Sequence, residues 1–329
     1  MRSLVAGATL LLVAASVPPA DATVPAEDPL DRARRAAAEV SFVGEVELRW
    51  ADAAGSHADT LGVRGAGGAI EVTGTNMVMA AADRARLVRH REGDWDLLWS
   101  GASVTDARPD PSQKYETAVG GSTVVASRPA SVVGVRRQGV LLQRLAVDDA
   151  TGVLLRREQL GPGGEIVRSV AFTAFQVTGA TSPLRTPVGG TDRVAKAIPA
   201  TGVPSPFTAP ARLSEGYSRI GVYREHGVVH VLYSDGLYDL SVFEQRGRLV
   251  RGDLPPGGTR VTVGRRPGWA YSWQGGHVLL WQGGRTVYTL VSDAPVDHLV
   301  NAAASLPVET GRASLVDRFR RAASSLVTR

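Results

Sequence analysis

Between Leu142 and Val177 apolar and polar residues alternate through three short runs, broken by Asp148-Asp149-Ala150-Thr151-Gly152 and by Gly161-Pro162-Gly163-Gly164. A period of two sends successive side chains to opposite faces of an extended chain. Breaks this short join only antiparallel neighbours, since parallel strands need a crossover of roughly a dozen residues or more. The stretch must fold as an antiparallel meander, and most of the chain repeats the pattern. Phe42–Trp50, Ala69–Val72, Met77–Ala80, Arg86–His90 and Trp95–Ser100 read as further strands. Later come Ser218–Arg224, a hairpin of Val228–Tyr233 and Leu237–Phe243 about Ser234-Asp235-Gly236, and three runs from Trp269 to Val291 parted at Gly275-Gly276 and Gly283-Gly284.

Helical signals occur beside the strands. Asp28–Val40 offers Asp28 as a cap, Pro29 at the first helical position and alanines along one side. Pro295–Leu306 reads as a closing helix with Ser292 or Asp293 near its cap. From Thr178 to Pro210, 18 of 33 residues are Pro, Gly, Ser or Thr and periodicity disappears, the composition of a semi-extended linker. At the start, Arg2, the apolar Leu4–Val17 and Ala20-Asp21-Ala22 form the pattern of a cleaved export signal. As a helix that apolar run covers only about 21 Å, against roughly 30 Å of hydrocarbon. The expected organisation is a signal at 1–22, a β-rich domain at 23–177, a linker at 178–210, a smaller antiparallel-sheet domain at 211–306 and a basic tail at 307–329. The fold class is α+β, with no repeat relating the halves.

The absence of cysteine excludes disulfides, thiolate metal sites, cysteine nucleophiles and a lipidated N-terminal cysteine. Net charge is +5, and every basic residue except Lys114 and Lys196 is arginine. Basic and acidic residues are interspersed up to the C-terminal region and no nucleic-acid motif accompanies them, so nucleic acid is not an expected partner. A mildly basic surface suits an acidic partner or anionic lipid.

No constellation of catalytic or metal-binding residues stands out. His226 and His230 are four apart but flank a strand, which separates them by about 13 Å, and His57, His90, His277 and His298 form no ligand motif. The nucleophile elbow, the zincin helix and the phosphate loop are missing. Gly65-Ala66-Gly67-Gly68-Ala69-Ile70 is half a dinucleotide fingerprint set between strands, hence a turn, and Asp148-Asp149 is turn chemistry. An active site assembled from scattered residues would leave no such motif. No cofactor is expected. Trp269, Tyr271 and Trp273 recur every second residue and share one sheet face, either packed on the closing helix or gripping a partner. From Arg312 to Arg329, Leu315, Phe319, Ala322 and Leu326 fall at helical spacing beside Arg318, Arg320 and Arg321. These residues could fray, dock on their own domain, or bind an anionic membrane or acidic partner.

Two stretches carry a family resemblance. Gln143–Asp148, Thr151–Glu158 and Phe172-Thr173-Ala174-Phe175 are similar to the strand, D-x-x-T-G-L turn and paired strand of the MucB/RseB family, extracytoplasmic regulators of envelope-stress sigma factors. More specifically, Leu232-Tyr233-Ser234-Asp235-Gly236-Leu237 and Leu240-Ser241-Val242-Phe243 resemble that family's Y-S-D-G-L and S-V-F hairpin. The resemblance spans about residues 30–306. It implies a half-open antiparallel barrel with helices in its concavity, like the lipoprotein carriers, joined to a smaller sheet domain. It also implies a non-enzymatic protein that binds the extracytoplasmic part of a membrane-spanning anti-sigma factor and shields it from proteolysis. A lipid or lipoprotein acyl chain is the ligand it suggests, and a homodimer is a further association to test. Candidate partner-contact residues are Tyr233, Asp235, Tyr238, Trp269, Tyr271 and Trp273, with Arg318, Phe319, Arg320 and Arg321 as candidates for membrane or partner docking. A lipid or lipoprotein carrier is the alternative. The chain departs from the family at Leu213-Ser214-Glu215-Gly216-Tyr217, where serine replaces the usual proline, and in its extra tail.

Overall fold

A computed structural model describes residues 29–52, 55–66, 69–74, 77–82, 85–90, 95–100, 109–179, 196–225, 227–273 and 276–307, giving the backbone alone over 77–100. The expected export signal and the tail with Arg318, Phe319, Arg320 and Arg321 lie outside these residues, as does His226. The chain begins with α1 (Pro29–Glu39), then β1 (Phe42–Asp52), β2 (Gly55–Ala66), β3 (Ala69–Thr73), β4 (Met77–Ala82), β5 (Ala85–His90) and β6 (Trp95–Ser100). After them come β7 (Glu116–Val125), β8 (Arg128–Arg137), β9 (Val140–Asp148), β10 (Leu154–Leu160) and β11 (Ile166–Val177). These strands form one antiparallel sheet of eleven in the order β6-β5-β4-β3-β2-β1-β11-β10-β9-β8-β7. The expected meander is its centre: β9 pairs with β10, β10 with β11, and β11 closes on β1.

The sheet curls without closing. Register shifts in β1 against β11, in β10 against β9 and in β7 against β8 each place an extra residue on one strand and bend it, with Gly121 at φ +131° in the last. Curvature brings the Arg128 guanidinium 5.3 Å above the Phe175 ring, and Arg156 donates to Thr123 Oγ1 at 2.9 Å, across strands that are not neighbours. Helix α1 lies in the resulting concavity and touches β2, β8 and β9. Buried Val46, Leu48, Leu61, Val63, Leu155 and Phe172 line that hollow around Ala36 of α1. The Phe42 ring lies over Gly65, where a Cβ would come within 2.4 Å of it, and stacks edge-on with Phe172 at 5.7 Å.

The second sheet comprises β12 (Lys196–Ala197), β13 (Ser218–Glu225), β14 (Val228–Ser234), β15 (Asp239–Arg246), β16 (Thr259–Val263), β17 (Arg266–Trp273), β18 (Gly276–Gly283) and β19 (Thr286–Ser292). All its pairings are antiparallel, in the order β12-β13-β14-β15-β19-β18-β17-β16. Helix α2 (Val296–Ala304) packs Leu299, Ala302 and Ala303 against Ala270, Leu279, Trp281 and Leu290. The expected cap is different in the structure: Pro295 holds the cap position without a side-chain bond, because the Asp293 carboxylate is engaged by Arg157 and Ser292 Oγ accepts from Ala294 N. Of the Pro-rich stretch, Ile198, Ala200, Val203, Phe207 and Ala209 pack on the second sheet's core.

Candidate functional site

The two sheets meet in a seam that is part of a single apolar cluster. Tyr115, Val133, Val135, Leu145 and Val147 of the first sheet's region pack with Tyr217, Tyr238 and Leu299 of the second. Four turn and loop segments build its polar part. Asp235, 2% exposed, caps its own hairpin by accepting from Leu237 N at 3.0 Å and Tyr238 N at 2.8 Å through Oδ1. Its Oδ2 faces outward from the hairpin, accepting from Tyr115 Oη at 2.5 Å and pairing with Lys114. Lys114 also donates to Glu215 O and lies 4.9 Å from the Tyr115 ring centre and 5.2 Å from that of Tyr217. Gly236, at φ +91°, abuts the loop before β7: a Cβ there would lie 2.6 Å from Pro109 O and 2.8 Å from Pro111 N.

A second anchor lies where β19 leads into α2. Arg157 of β10 donates to Asp293 Oδ2 at 2.6 Å and to Gln143 Oε1 at 2.9 Å, while Gln159 Nε2 donates to Asp293 O at 2.8 Å. Arg157, Gln159 and Gln143 all occupy inward positions of their strands, so the face that is apolar under α1 becomes polar under the second sheet. A third bridge, Arg137 to Glu215 at 2.7 Å, is braced by Asn301 Nδ2 donating to Glu215 at 3.0 Å.

Burial sets the protonation chemistry of this seam. It pushes the Lys114 ammonium below its ordinary range, against the opposing pull of Asp235. Burial brings Arg168 down to about 10, with Asp293 working the other way, and brings His277 down to about 4, helped by the neighbouring Arg168. Burial raises the Tyr115 hydroxyl far above its ordinary value, so it serves as a donor to Asp235. His277 is neutral at ordinary pH, its Nδ1 3.1 Å from Ser272 Oγ. Among the described residues no group of three or more His, Asp and Glu could hold a metal ion.

The candidate residues separate into three sets. Asp235 and Tyr238 meet at the seam, both buried, and Tyr233 points from the same hairpin into the second sheet's core with no exposure. Trp269 and Tyr271 lie on the face opposite α2, because the register turns Ala270 toward the helix; packing on the closing helix is therefore corrected. Both rings are half-buried, Trp269 under the Arg251 guanidinium at 5.8 Å and Tyr271 against the backbone at Gly258. The backbone of Trp273 ends β17, and its side chain lies outside the description. Lys114, Tyr115, Arg157, Arg168, Glu215 and Asp293 were absent from the sequence candidates; the available signal was polar residues at inward positions of β10 and one of the two lysines.

The Asp148 turn, the other stretch with a family resemblance, is equally ordered. Arg128 forks onto Asp148 with two bonds of 2.8 Å, and Thr151 donates to the same carboxylate from N at 2.8 Å and Oγ1 at 2.6 Å. Burial alone would raise the Asp148 carboxyl, but these donors hold it below its ordinary value.

No protein-family model and no curated protein sequence matches the chain. Among solved structures, MucB matches over 85% of this chain and 97% of its own, with 21% identity and a TM-score of 0.50. The fold is that of MucB. In a Pseudomonas aeruginosa MucA/MucB complex the matching chain is covered to 98% and this one to 85%, with 20% identity and a TM-score of 0.48. The likeness to MucB covers most of the chain and so takes in both sheets. Among the described residues no helix is long and apolar enough to cross a membrane.

Proposed function

We propose that the protein is an exported, non-enzymatic regulator that binds the extracytoplasmic part of a membrane-spanning anti-sigma factor and shields it from proteolysis. The observation that carries this reading is the hairpin at 233–237. The stretch most similar to MucB/RseB sequences is also the stretch whose carboxylate and glycine fasten the second sheet to the first. MucB has been crystallised with MucA(peri), and an extracytoplasmic segment of that kind is the partner proposed for this chain.

An acyl chain is the proposed releasing ligand. The concave face lined by Phe42, Leu48, Leu61 and Phe172 is apolar, and α1 shares it, so an inserted chain would compete with α1. By linkage the chain releases the partner only to the extent that it prefers the partner-free arrangement. The same apolar hollow favours a second reading, a lipid or lipoprotein carrier, in which the second sheet would have no partner. A protection assay distinguishes them: the extracytoplasmic segment of the anti-sigma factor is exposed to its protease with and without this protein, then with added lipid. Slowed cleavage that lipid restores is the expected result. Cleavage at the same rate throughout would contradict the proposal.

A further inference from the structure

The ends of the second sheet are chemically unlike. Its strands alternate in direction, so the 235–238 turn and the exit from β19 at Asp293 share the end that meets the first sheet. The opposite end gathers the start of the β15–β16 loop, the β16–β17 turn and the β18–β19 turn, which carry Arg246, Arg248, Arg265, Arg266 and Arg285, and Arg251 follows as that loop crosses the sheet over Trp269. Register and hydrogen bonds draw these connections together. Arg246 pairs with Thr286, Gly247 N donates to Arg285 O at 2.9 Å, and Leu249 N donates to Gln282 Oε1 at 3.0 Å. Among the described residues none of the six arginines forms an ion pair. The described acids nearby are Asp253, exposed next to Arg251 in the same loop, and Glu244, wholly buried.

Apolar groups accompany this charge. Val250, 54% exposed, lies between Arg248 and Arg251, and the half-buried Trp269 indole sits under Arg251. An apolar tip among guanidinium groups, with an indole farther along the adjoining sheet face, is the chemistry of a lipid headgroup layer: the arginines meet phosphates while the tip enters the interface. An extended acidic peptide is usually gripped along a sheet edge or in a groove. These residues instead lie across the ends of several strands, a layout suited to a plane. Pro307, where the arginine-bearing end of the sequence begins, lies nearby, since Thr208 donates from N to Glu244 Oε2 at 3.0 Å and from Oγ1 to Pro307 O at 3.4 Å.

We propose that this end of the second sheet docks on an anionic phospholipid membrane, with Val250 entering the headgroup layer and the first sheet held away from it. The proposal does not depend on the identity of the anti-sigma partner. The test is co-sedimentation of the full chain with phosphatidylglycerol-rich vesicles and with phosphatidylcholine vesicles, at about 0.1 M salt, where charges are screened beyond about 10 Å. Binding to the anionic vesicles alone is expected. In the R248E/R265E/R285E variant it should weaken by at least about tenfold, and in R248Q/R265Q/R285Q by a smaller factor, both with an unchanged circular dichroism spectrum. R318Q/R320Q/R321Q should retain most of the binding. Equal binding by the wild type and both patch variants would overturn the proposal, as would loss confined to the tail variant. A wild type that ignores anionic vesicles would also overturn it, and if that same protein bound an acidic peptide the patch would be a peptide surface.

Discussion

Asp235 and Asp293 join the two sheets from positions almost sealed from water. Removing one member of such a buried charge pair leaves the other without compensation, at a cost of about 3–5 kcal/mol. Asp235→Ala, which strands the Lys114 ammonium and the Tyr115 hydroxyl, should lower unfolding stability by about 3 kcal/mol in urea titrations, with Asp235→Asn costing less. Glu244 behaves in the opposite sense. It is wholly buried on β15, accepts from Thr208 N at 3.0 Å, and burial raises its carboxyl to about 7. A carboxyl raised in the folded state is least costly below its unfolded value, and its penalty grows as pH climbs from there through the folded one. Glu244→Gln should therefore stabilise the protein by about 2 kcal/mol at pH 8, and the gain should vanish near pH 4. His277, lowered to about 4, contributes stability that is present above its unfolded value and lost as pH falls through the folded one.

Among elements, the hairpin of β14 and β15 matters most to the seam. Its turn needs Gly236 for two reasons, the positive φ and the closeness of Pro109 and Pro111. Gly236→Ala should destabilise by about 2 kcal/mol and increase proteolysis around 109–115, read by mass mapping of the fragments. This hairpin and the β9–β11 meander were legible in the sequence because both faces are distinct: alternation is strong wherever one side is core and the other water. Strand β7 was not, since Glu116–Thr123 is exposed or half-exposed on both faces at the sheet's edge and carries no alternation. The polar seam was also hidden. Arg157 and Gln159 stand at inward positions of β10, and their acceptor, Asp293, is more than a hundred residues away and resembled a helix cap. Local sequence identifies a turn-forming aspartate but not the distant cation its carboxylate also holds, Arg128 for Asp148 and Lys114 for Asp235.

At the scale of the molecule, an eleven-stranded curled sheet and an eight-stranded sheet share one apolar cluster and three charged bridges. Parting the sheets would strand the charges of these bridges, so the seam resists separation. The acyl chain proposed above would enter the concave face, and the membrane would meet the arginine-bearing end of the second sheet. Capture of an anti-sigma factor's extracytoplasmic segment, as proposed above, is measured by calorimetric titration of the protein with that segment. A saturable 1:1 isotherm with Kd at or below about 1 μM is predicted, weakened by Asp235→Ala in proportion to the loosening of the seam. Absence of any heat of binding at about 100 μM of both components, with the protein folded, would contradict the account.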